Sequence, residues 1–236
     1  MSDSDDDQPT LSAHALAALA DFNAEKDEHA KKFEKLKEAA EADGPLSMDA
    51  FKEDWNASQF WYSEETATTY ARQLLANTTA ENTICVLSAP TAFVALKNVL
   101  REVEEAKRPK VILLEFDDRF SVFPEFTFYD FQQPFKLPGN LKGTVDAIIY
   151  DPPFLSEDCQ TKTRWLLKPP PATPTEKVPR IIVSTGERVK SLVLKLLQPY
   201  GVQISTYVPG HARGLSNEFH CYANFECSEW KLQGPE

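Results

Sequence analysis

An acid, two prolines and an aromatic residue follow an apolar stretch in the middle of the chain, as Asp151-Pro152-Pro153-Phe154. The apolar stretch, Val145 to Tyr150, predicts a buried β-strand, which ends there because proline carries no backbone N–H. The Asp151 carboxylate and the Pro152 carbonyl can accept the hydrogens of an amine, and Phe154 can pack against it. We therefore predict an amine-binding corner in which these four residues are catalytic. The alternative is a capped turn over a buried phenylalanine.

Two further strand ends carry acids suited to a nucleoside. Glu115 lies in the strand predicted from Val111 to Phe116, and Asp130 follows the strand predicted from Phe126 to Tyr129. Ligands of open α/β sheets bind at the carboxyl ends of the strands, where Glu115 can accept from a ribose diol and Asp130 from an adenine amino group. An acid at one strand end is also common without a function. The sequence has no Gly-x-Gly-x-x-Gly and no Gly-x-x-x-x-Gly-Lys, which favours a nucleoside cofactor without a pyrophosphate, S-adenosylmethionine.

The elements that must position these residues alternate along the chain. After residue 60, the first predicted helix begins at Ser63, and its apolar face holds Ala67, Tyr70, Ala71, Leu74 and Leu75. The other predicted helices are Ala92–Glu105, Glu157–Leu167 and Glu187–Leu197. The remaining predicted strands are Thr83–Ser88, Arg180–Ser184, Val202–Val208 and Phe219–Phe225. This order predicts an α/β fold with a mostly parallel sheet and helices on both faces. No helix separates the last two strands, so we expect them to pair antiparallel.

The N-terminal part differs in composition from the rest. Residues 1–60 hold 15 acids and 6 bases, whereas the rest of the chain, with a total net charge of −11, is nearly neutral. We predict an acidic tail and helical arm over residues 1–54 and a catalytic domain over residues 55–236, with a proline-rich loop at 168–179. The arm is either a solvated extension or a partner-binding helix. A nearly neutral body disfavours nucleic acid and favours a basic protein partner.

Other features bear on location and assembly. There is no bilayer-length apolar run and no signal-peptide pattern, and none of the four cysteines forms a Cys-x-x-Cys. We expect a cytoplasmic protein with reduced cysteines, no metal site and no membrane association. Nothing in the sequence demands a dimer, so we expect a monomer.

Several motifs in order resemble a known family. Asp151-Pro152-Pro153-Phe154 resembles the (Asp/Asn/Ser)-Pro-Pro-(Tyr/Phe) signature of amino-group methyltransferases with the class I fold. More closely, the chain resembles the eukaryotic lysine methyltransferases of translation elongation factor 1-alpha, formerly grouped with N6-adenine methyltransferases. The matching stretches cover about residues 9–30 and 55–227. They include Leu11 to Leu16, Gln59 to Thr66, Ser88 to Pro90, Glu115 to Phe120, Phe128 to Asp130, Asp151 to Glu157 and Asn217 to Phe219.

The resemblance implies a seven-stranded class I fold, S-adenosylmethionine as methyl donor and a lysine of the elongation factor, itself a basic protein, as acceptor. It implies that the following residues bind the cofactor or line its pocket: Phe60, Trp61, Tyr62, Ser88, Ala89, Glu115, Phe116, Asp130 and Asp151. The aromatic triplet Phe60-Trp61-Tyr62 is otherwise a core segment. The chain departs from the class at its first strand, which lacks the usual glycine-rich loop, and in its proline-rich insert.

A lysine acceptor adds a requirement, because its pKa of about 10.4 leaves it protonated at neutral pH. We expect Asp151 to orient the amine while an apolar pocket lowers the amine pKa by desolvation. His211, between the last two predicted strands, is a further candidate for a proton role. Two alternatives stay open, an N6-adenine methyltransferase acting on DNA or RNA and a non-catalytic binding module with this fold.

Overall fold

The computed structural model describes residues 12–53, 59–133, 136–152, 157, 161, 166–170, 173, 177–214 and 218–234. Within these residues the helices are α1 (Ala13–Glu41), α2 (Glu64–Leu75), α3 (Pro90–Leu100) and α4 (Lys190–Leu197). The strands are β1 (Thr83–Leu87), β2 (Lys110–Glu115), β3 (Phe126–Phe128), β4 (Ala147–Tyr150), β5 (Arg180–Gly186), β6 (Gln203–Ile204) and β7 (Phe219–Ala223).

The strands form one seven-stranded sheet in the order β3-β2-β1-β4-β5-β7-β6. Strands β1 to β5 pair in parallel, and β7 runs antiparallel to both β5 and β6. The predicted class I α/β fold and the antiparallel pairing of the last two strands are confirmed. Because the parallel strands end at one edge of the sheet, the residues after β1, β2 and β4 share that edge.

Apolar side chains cover both faces of the sheet. One face packs against the apolar sides of α2 and α3, where Tyr70 and Phe93 are fully buried, and the other packs against α4 through Val193 and Leu197. Ser63 caps α2 by accepting the N–H of Thr66 at 3.2 Å, as its position before a periodic apolar stretch predicts. The result is the three-layer arrangement expected of alternating strands and helices.

Predicted and observed bounds differ most in three elements. The helix predicted from Ala92 to Glu105 is α3, which begins at Pro90 and ends at Leu100, and Glu105 lies in a separate 3-10 turn. The strand predicted from Val202 to Val208 is reduced to Gln203–Ile204, because the chain then turns to the C-terminal segment, where the N–H of Thr206 donates to the carbonyl of Lys231. The helix predicted from Glu157 to Leu167 lies mostly outside the described residues. At its predicted end, Leu167 instead forms a parallel bridge with Val145.

Helix α1 has two unlike halves. Every described side chain from Ser12 to Glu28 is exposed except that of Ala15, whereas Leu36 is buried in the core. The segment after the helix is fixed to α3 by paired hydrogen bonds of 2.8 and 2.9 Å between the Leu46 backbone and the Asn98 side chain. Among the described residues, no helix is both long and apolar enough to span a membrane.

Candidate active site

The carboxylate of Asp151 lies directly after β4 and is held from two sides. Its backbone N–H donates to the carbonyl of Leu87 at 3.1 Å, which continues the pairing of β4 with β1. Its Oδ2 accepts the hydroxyl hydrogen of Tyr62 at 2.6 Å. Burial raises the pKa of Asp151 to about 7, the Tyr62 hydrogen bond acts against that rise, and the charge of Glu115 adds to it. Asp151 therefore titrates near neutral pH.

Of the other residues in the predicted catalytic corner, Pro152 is buried beside Asp151. Pro153 and Phe154 lie outside the described residues, so the predicted packing of Phe154 on an amine stays a prediction.

The predicted aromatic triplet divides between core and site. Trp61 packs edge-on against Phe120 and donates its indole N–H to the carbonyl of Phe51 at 3.3 Å. Tyr62 is 3% exposed and reaches Asp151. Phe60 is partly buried next to them. Trp61 thus packs in the core, while Tyr62 contacts the carboxylate at the end of β4.

A loop after β6 closes over Tyr62. His211 pairs with Tyr62 in an antiparallel bridge, and the two rings lie 5.2 Å apart. The Nε2 of His211 is buried and has no hydrogen-bond partner among the described residues. Burial lowers the pKa of His211, with the charge of Glu53 acting in the opposite direction, so the ring is neutral at neutral pH. His211 therefore packs against Tyr62, the residue that donates to Asp151, and its proposed proton role stays a prediction.

The turn after β1 has the shape expected of a glycine-rich loop, although it contains no glycine. Ser88 has φ +52°, in the left-handed region that favours glycine. Its N–H donates to the carbonyl of Leu114 at 2.9 Å. Ala89 is buried and begins α3, with Pro90 as the first helical residue. The turn brings the N-terminus of α3 to the edge of the sheet that carries Asp151.

Glu115, at the end of β2, is a second carboxylate on this edge and is buried. Its Oε1 accepts the backbone N–H of Phe116 at 2.8 Å and that of Asp117 at 3.2 Å. Burial raises the pKa of Glu115 to about 7, and the two backbone hydrogen bonds act against that rise. The described residues place no hydrogen bond on Oε2, which suits a ligand hydroxyl.

Beside Glu115 lies an exposed aromatic pair that the sequence analysis found only in part. Phe116 is 59% exposed and Phe128 49% exposed, with ring centroids 5.3 Å apart. Phe128 was not predicted as a site residue. Its position at the end of β3, where it pairs with Glu115 in the parallel register, could have indicated it. A carboxylate for a ribose next to exposed aromatic rings for a base fits the nucleoside of S-adenosylmethionine.

Asp130 follows β3, where the sequence analysis expected an adenine contact. In the structure its carboxylate caps its own turn, accepting the N–H of Gln132 at 2.8 Å and the side-chain amide of Gln133 at 3.2 Å. Each carboxylate oxygen of Asp130 accepts one of these bonds and has a further lone pair, so a contact from Asp130 to adenine stays a prediction.

An unpredicted cluster fixes the segment before Tyr62. Asp117 accepts hydrogen bonds from the Arg119 guanidinium and from the Gln59 amide at 3.0 Å, and Arg119 also donates to the carbonyl of Lys52. Burial acts to raise the pKa of Asp117, but these hydrogen bonds outweigh it and hold the pKa below its ordinary value. The cluster joins the chain on both sides of residues 54–58 to the segment after β2.

A separate group of possible metal ligands lies beyond β5. The side chains of Glu187, Glu218 and His220 offer ligand atoms within 4.8 Å of one another. Both carboxylates are exposed, and exposed acids often lie together without an ion. This group adds no metal to the Tyr62–Asp151 site.

Comparisons with known proteins agree with this geometry. The profile of a family described as "Probable N6-adenine methyltransferase" matches residues 53–227. Protein-lysine N-methyltransferase EFM5 of Saccharomyces cerevisiae is 41% identical, over 94% of this chain and 94% of that protein. EEF1A lysine methyltransferase 1 of Homo sapiens is 36% identical, over 96% of this chain and 97% of that protein.

A solved structure supports the fold alone. A branched-chain polyamine synthase mutein from Thermus thermophilus, in complex with N4-aminopropylspermidine and 5'-methylthioadenosine, superposes with a TM-score of 0.50 at 12% identity, covering 86% of this chain and 67% of that one. Because the curated relatives match over nearly the whole chain, their likeness extends to the family. The chain belongs to the EEF1A lysine methyltransferase family of S-adenosylmethionine-dependent protein-lysine N-methyltransferases.

Proposed function

We propose that this enzyme methylates a lysine of translation elongation factor 1-alpha, with Asp151 at the end of β4 as the group that receives the lysine amine. The observation that carries the proposal is the 2.6 Å hydrogen bond from the Tyr62 hydroxyl to Oδ2 of Asp151. It fixes the carboxylate and occupies one oxygen. Within the part of the chain that the structure describes, no hydrogen bond is given to the other oxygen or to the Pro152 carbonyl, and we propose that these two accept the hydrogens of the amine.

The titration of Asp151 suits a lysine acceptor. The cofactor supplies an activated methyl group, but the incoming ammonium must first lose a proton. A carboxylate with a pKa of about 7 is ionised above neutral pH, where it can orient the amine and accept a proton from it. Burial around Tyr62 also disfavours a charged amine, which lowers its pKa further.

The cofactor site in this proposal lies between β1, β2 and β3. Glu115 accepts from the ribose hydroxyls, the ring of Phe116 packs on the base, and the turn at Ser88 and Ala89 lies along the cofactor. Asp130, after β3, accepts from the adenine amino group through the lone pairs that its own turn leaves available. Phe60 and Tyr62 cover the pocket, with Trp61 supporting them from the core.

We also propose that the enzyme acts as a monomer in the cytoplasm and does not bind nucleic acid. Free Cys85, Cys221 and Cys227 fit a reducing compartment. Residues 61–236 carry 21 acids against 19 bases, a balance that gives phosphates little attraction. The matched profile is described as an N6-adenine methyltransferase, so nucleic acid is the alternative acceptor that an experiment must compare with the elongation factor.

The test supplies labelled S-adenosylmethionine with purified elongation factor or with nucleic acid, using wild type and Asp151→Ala. Label on a lysine of the factor, lost with Asp151→Ala, is expected. Glu81→Gln, at the opposite edge of the sheet, is the matched control and should keep full activity. Label on nucleic acid that survives protease, with none on the factor, would overturn the proposal.

A further inference from the structure

The exposed half of α1 presents large apolar side chains to solvent. Leu16 is 53% exposed, Leu19 46% and Phe22 63%. Residues three apart lie side by side on a helix, so these three form one row, here called the arm stripe. A contiguous apolar row on an otherwise solvated helix is typical of a binding face, in contrast to single exposed apolar residues.

The arm stripe continues the buried side of the same helix. Phe33 follows Phe22 by about three helical turns and packs edge-on against Phe51, with ring centroids 6.3 Å apart. Phe51 in turn stacks on Phe120 at 4.0 Å, and Phe120 meets Trp61 at 6.3 Å. The rings of Phe33, Phe51, Phe120 and Trp61 therefore join the C-terminal half of α1 to the residue next to Tyr62. The stripe lies on the same helix, N-terminal to this packed half.

The charge around the stripe identifies what kind of partner fits. The first 30 residues contain eight Asp or Glu and one Lys in sequence, and four of these acids and the Lys lie on α1 itself. Such an arm repels a second copy of itself, an anionic lipid surface and nucleic acid. It attracts a protein surface rich in lysine and arginine. The main body, being nearly neutral, contributes little to that attraction.

We propose that the arm stripe is a docking surface for the protein substrate, which receives Leu16, Leu19 and Phe22 in an apolar groove bordered by basic side chains. The inference rests on the proposed function, since it assigns the partner as the protein that carries the target lysine. Because the C-terminal half of α1 is packed in the core, this contact raises the local concentration of that lysine at Asp151.

The test compares two full-length triple variants. One combines Leu16→Ser, Leu19→Ser and Phe22→Ser, which removes the stripe. The matched control combines Ala17→Ser, Ala20→Ser and Ala24→Ser, three exposed positions on another side of the same helix. Circular dichroism should show equal helix content in the two variants, so that only the apolar surface differs.

Binding to the intact elongation factor and methyl transfer are measured separately. The stripe variant is expected to raise both the Kd and the KM for the factor by about tenfold or more, with kcat and cofactor affinity changed by less than about twofold. The control should behave as wild type, and high salt should weaken wild-type binding.

Equal affinity of the stripe variant and the control would overturn the proposal. So would absence of wild-type binding to the factor, or a wild-type dimer in light scattering that dissociates in the stripe variant. If wild type binds the factor through the stripe but transfers no methyl group, the proposed function fails while the docking surface stands.

Discussion

Asp151, which is partly buried, and Glu115, which is buried, lie on one edge of the sheet at the ends of the strands that flank β1, and they are held in different ways. Burial raises the pKa of each to about 7. Glu115 is held by the N–H groups of the next two residues, whereas Asp151 is held by Tyr62, from a distant part of the sequence. Local backbone support cannot be removed by changing a side chain. Remote side-chain support can, so the two sites should respond differently to substitution.

The largest expected effect comes from Asp151→Asn. The amide keeps the size of the side chain but cannot carry the charge that orients an ammonium or accept its proton. We expect kcat to fall about a thousandfold, with cofactor affinity changed by less than about threefold. Steady-state kinetics and calorimetric titration of S-adenosylmethionine measure the two quantities. A large loss of cofactor affinity with unchanged kcat would show that Asp151 binds the cofactor and does not receive the lysine amine.

Glu115→Gln should produce the opposite pattern, because its role is assigned to the cofactor ribose. Replacing a charged acceptor by an amide weakens hydrogen bonds worth about 1.5–3 kcal/mol, so the cofactor Kd should rise roughly 10- to 100-fold. The kcat at saturating cofactor should change little. Calorimetric titration of the variant against wild type provides the comparison. An unchanged Kd would show that this carboxylate serves only its own turn.

Tyr62→Phe tests the remote support of Asp151 and should have a smaller effect. The Tyr62 hydroxyl lowers the Asp151 pKa, so its removal raises that pKa above about 7. Activity requires the ionised carboxylate, and it should therefore appear at higher pH in the variant than in wild type. The measurement is kcat/KM from pH 6 to 9, in which the rising limb shifts upward by about one unit.

Wild type itself should show activity rising through neutral pH. If the rising limb of kcat/KM against pH in Tyr62→Phe stays where it is in wild type or moves to lower pH, the expected rise in the Asp151 pKa is contradicted. Tyr70→Phe is the control, because Tyr70 packs edge-on against Tyr62 but has no hydrogen bond to Asp151.

The same contrast between local and remote contacts separates what sequence could predict from what it could not. The cap at Ser63 and the buried strands follow from short-range patterns, and they were confirmed. The contact of Tyr62 with Asp151 joins positions 89 residues apart, and no spacing rule connects them. The position of Asp151 was predictable because it ends a strand, whereas its partner depends on how the sheet is assembled.

The direction of each side chain was the second feature that the sequence could not predict. Three aromatic residues in a row look alike in sequence, but successive side chains of an extended segment point to opposite sides. Trp61 therefore packs against Phe120 while Tyr62 turns to Asp151. Similarly, the short β6 could not be anticipated, because Thr206 pairs with a segment near the C-terminus.

The smallest expected effect concerns the turn after β1, which we propose lies along the cofactor. Ser88 adopts φ +52°, which costs a non-glycine residue about 1–2 kcal/mol, partly offset by the greater entropy that glycine loses on folding. Ser88→Gly should therefore stabilise the protein by up to about 1 kcal/mol, a rise in Tm of roughly 2–4 °C. Asn77→Gly, at φ +62° in the turn after α2, relieves the same conformation away from the cofactor. If the Ser88 hydroxyl contacts the cofactor, only Ser88→Gly should weaken S-adenosylmethionine binding while both variants gain stability. Equal cofactor affinity in the two variants would leave Ser88 a backbone position whose side chain has no part in the site.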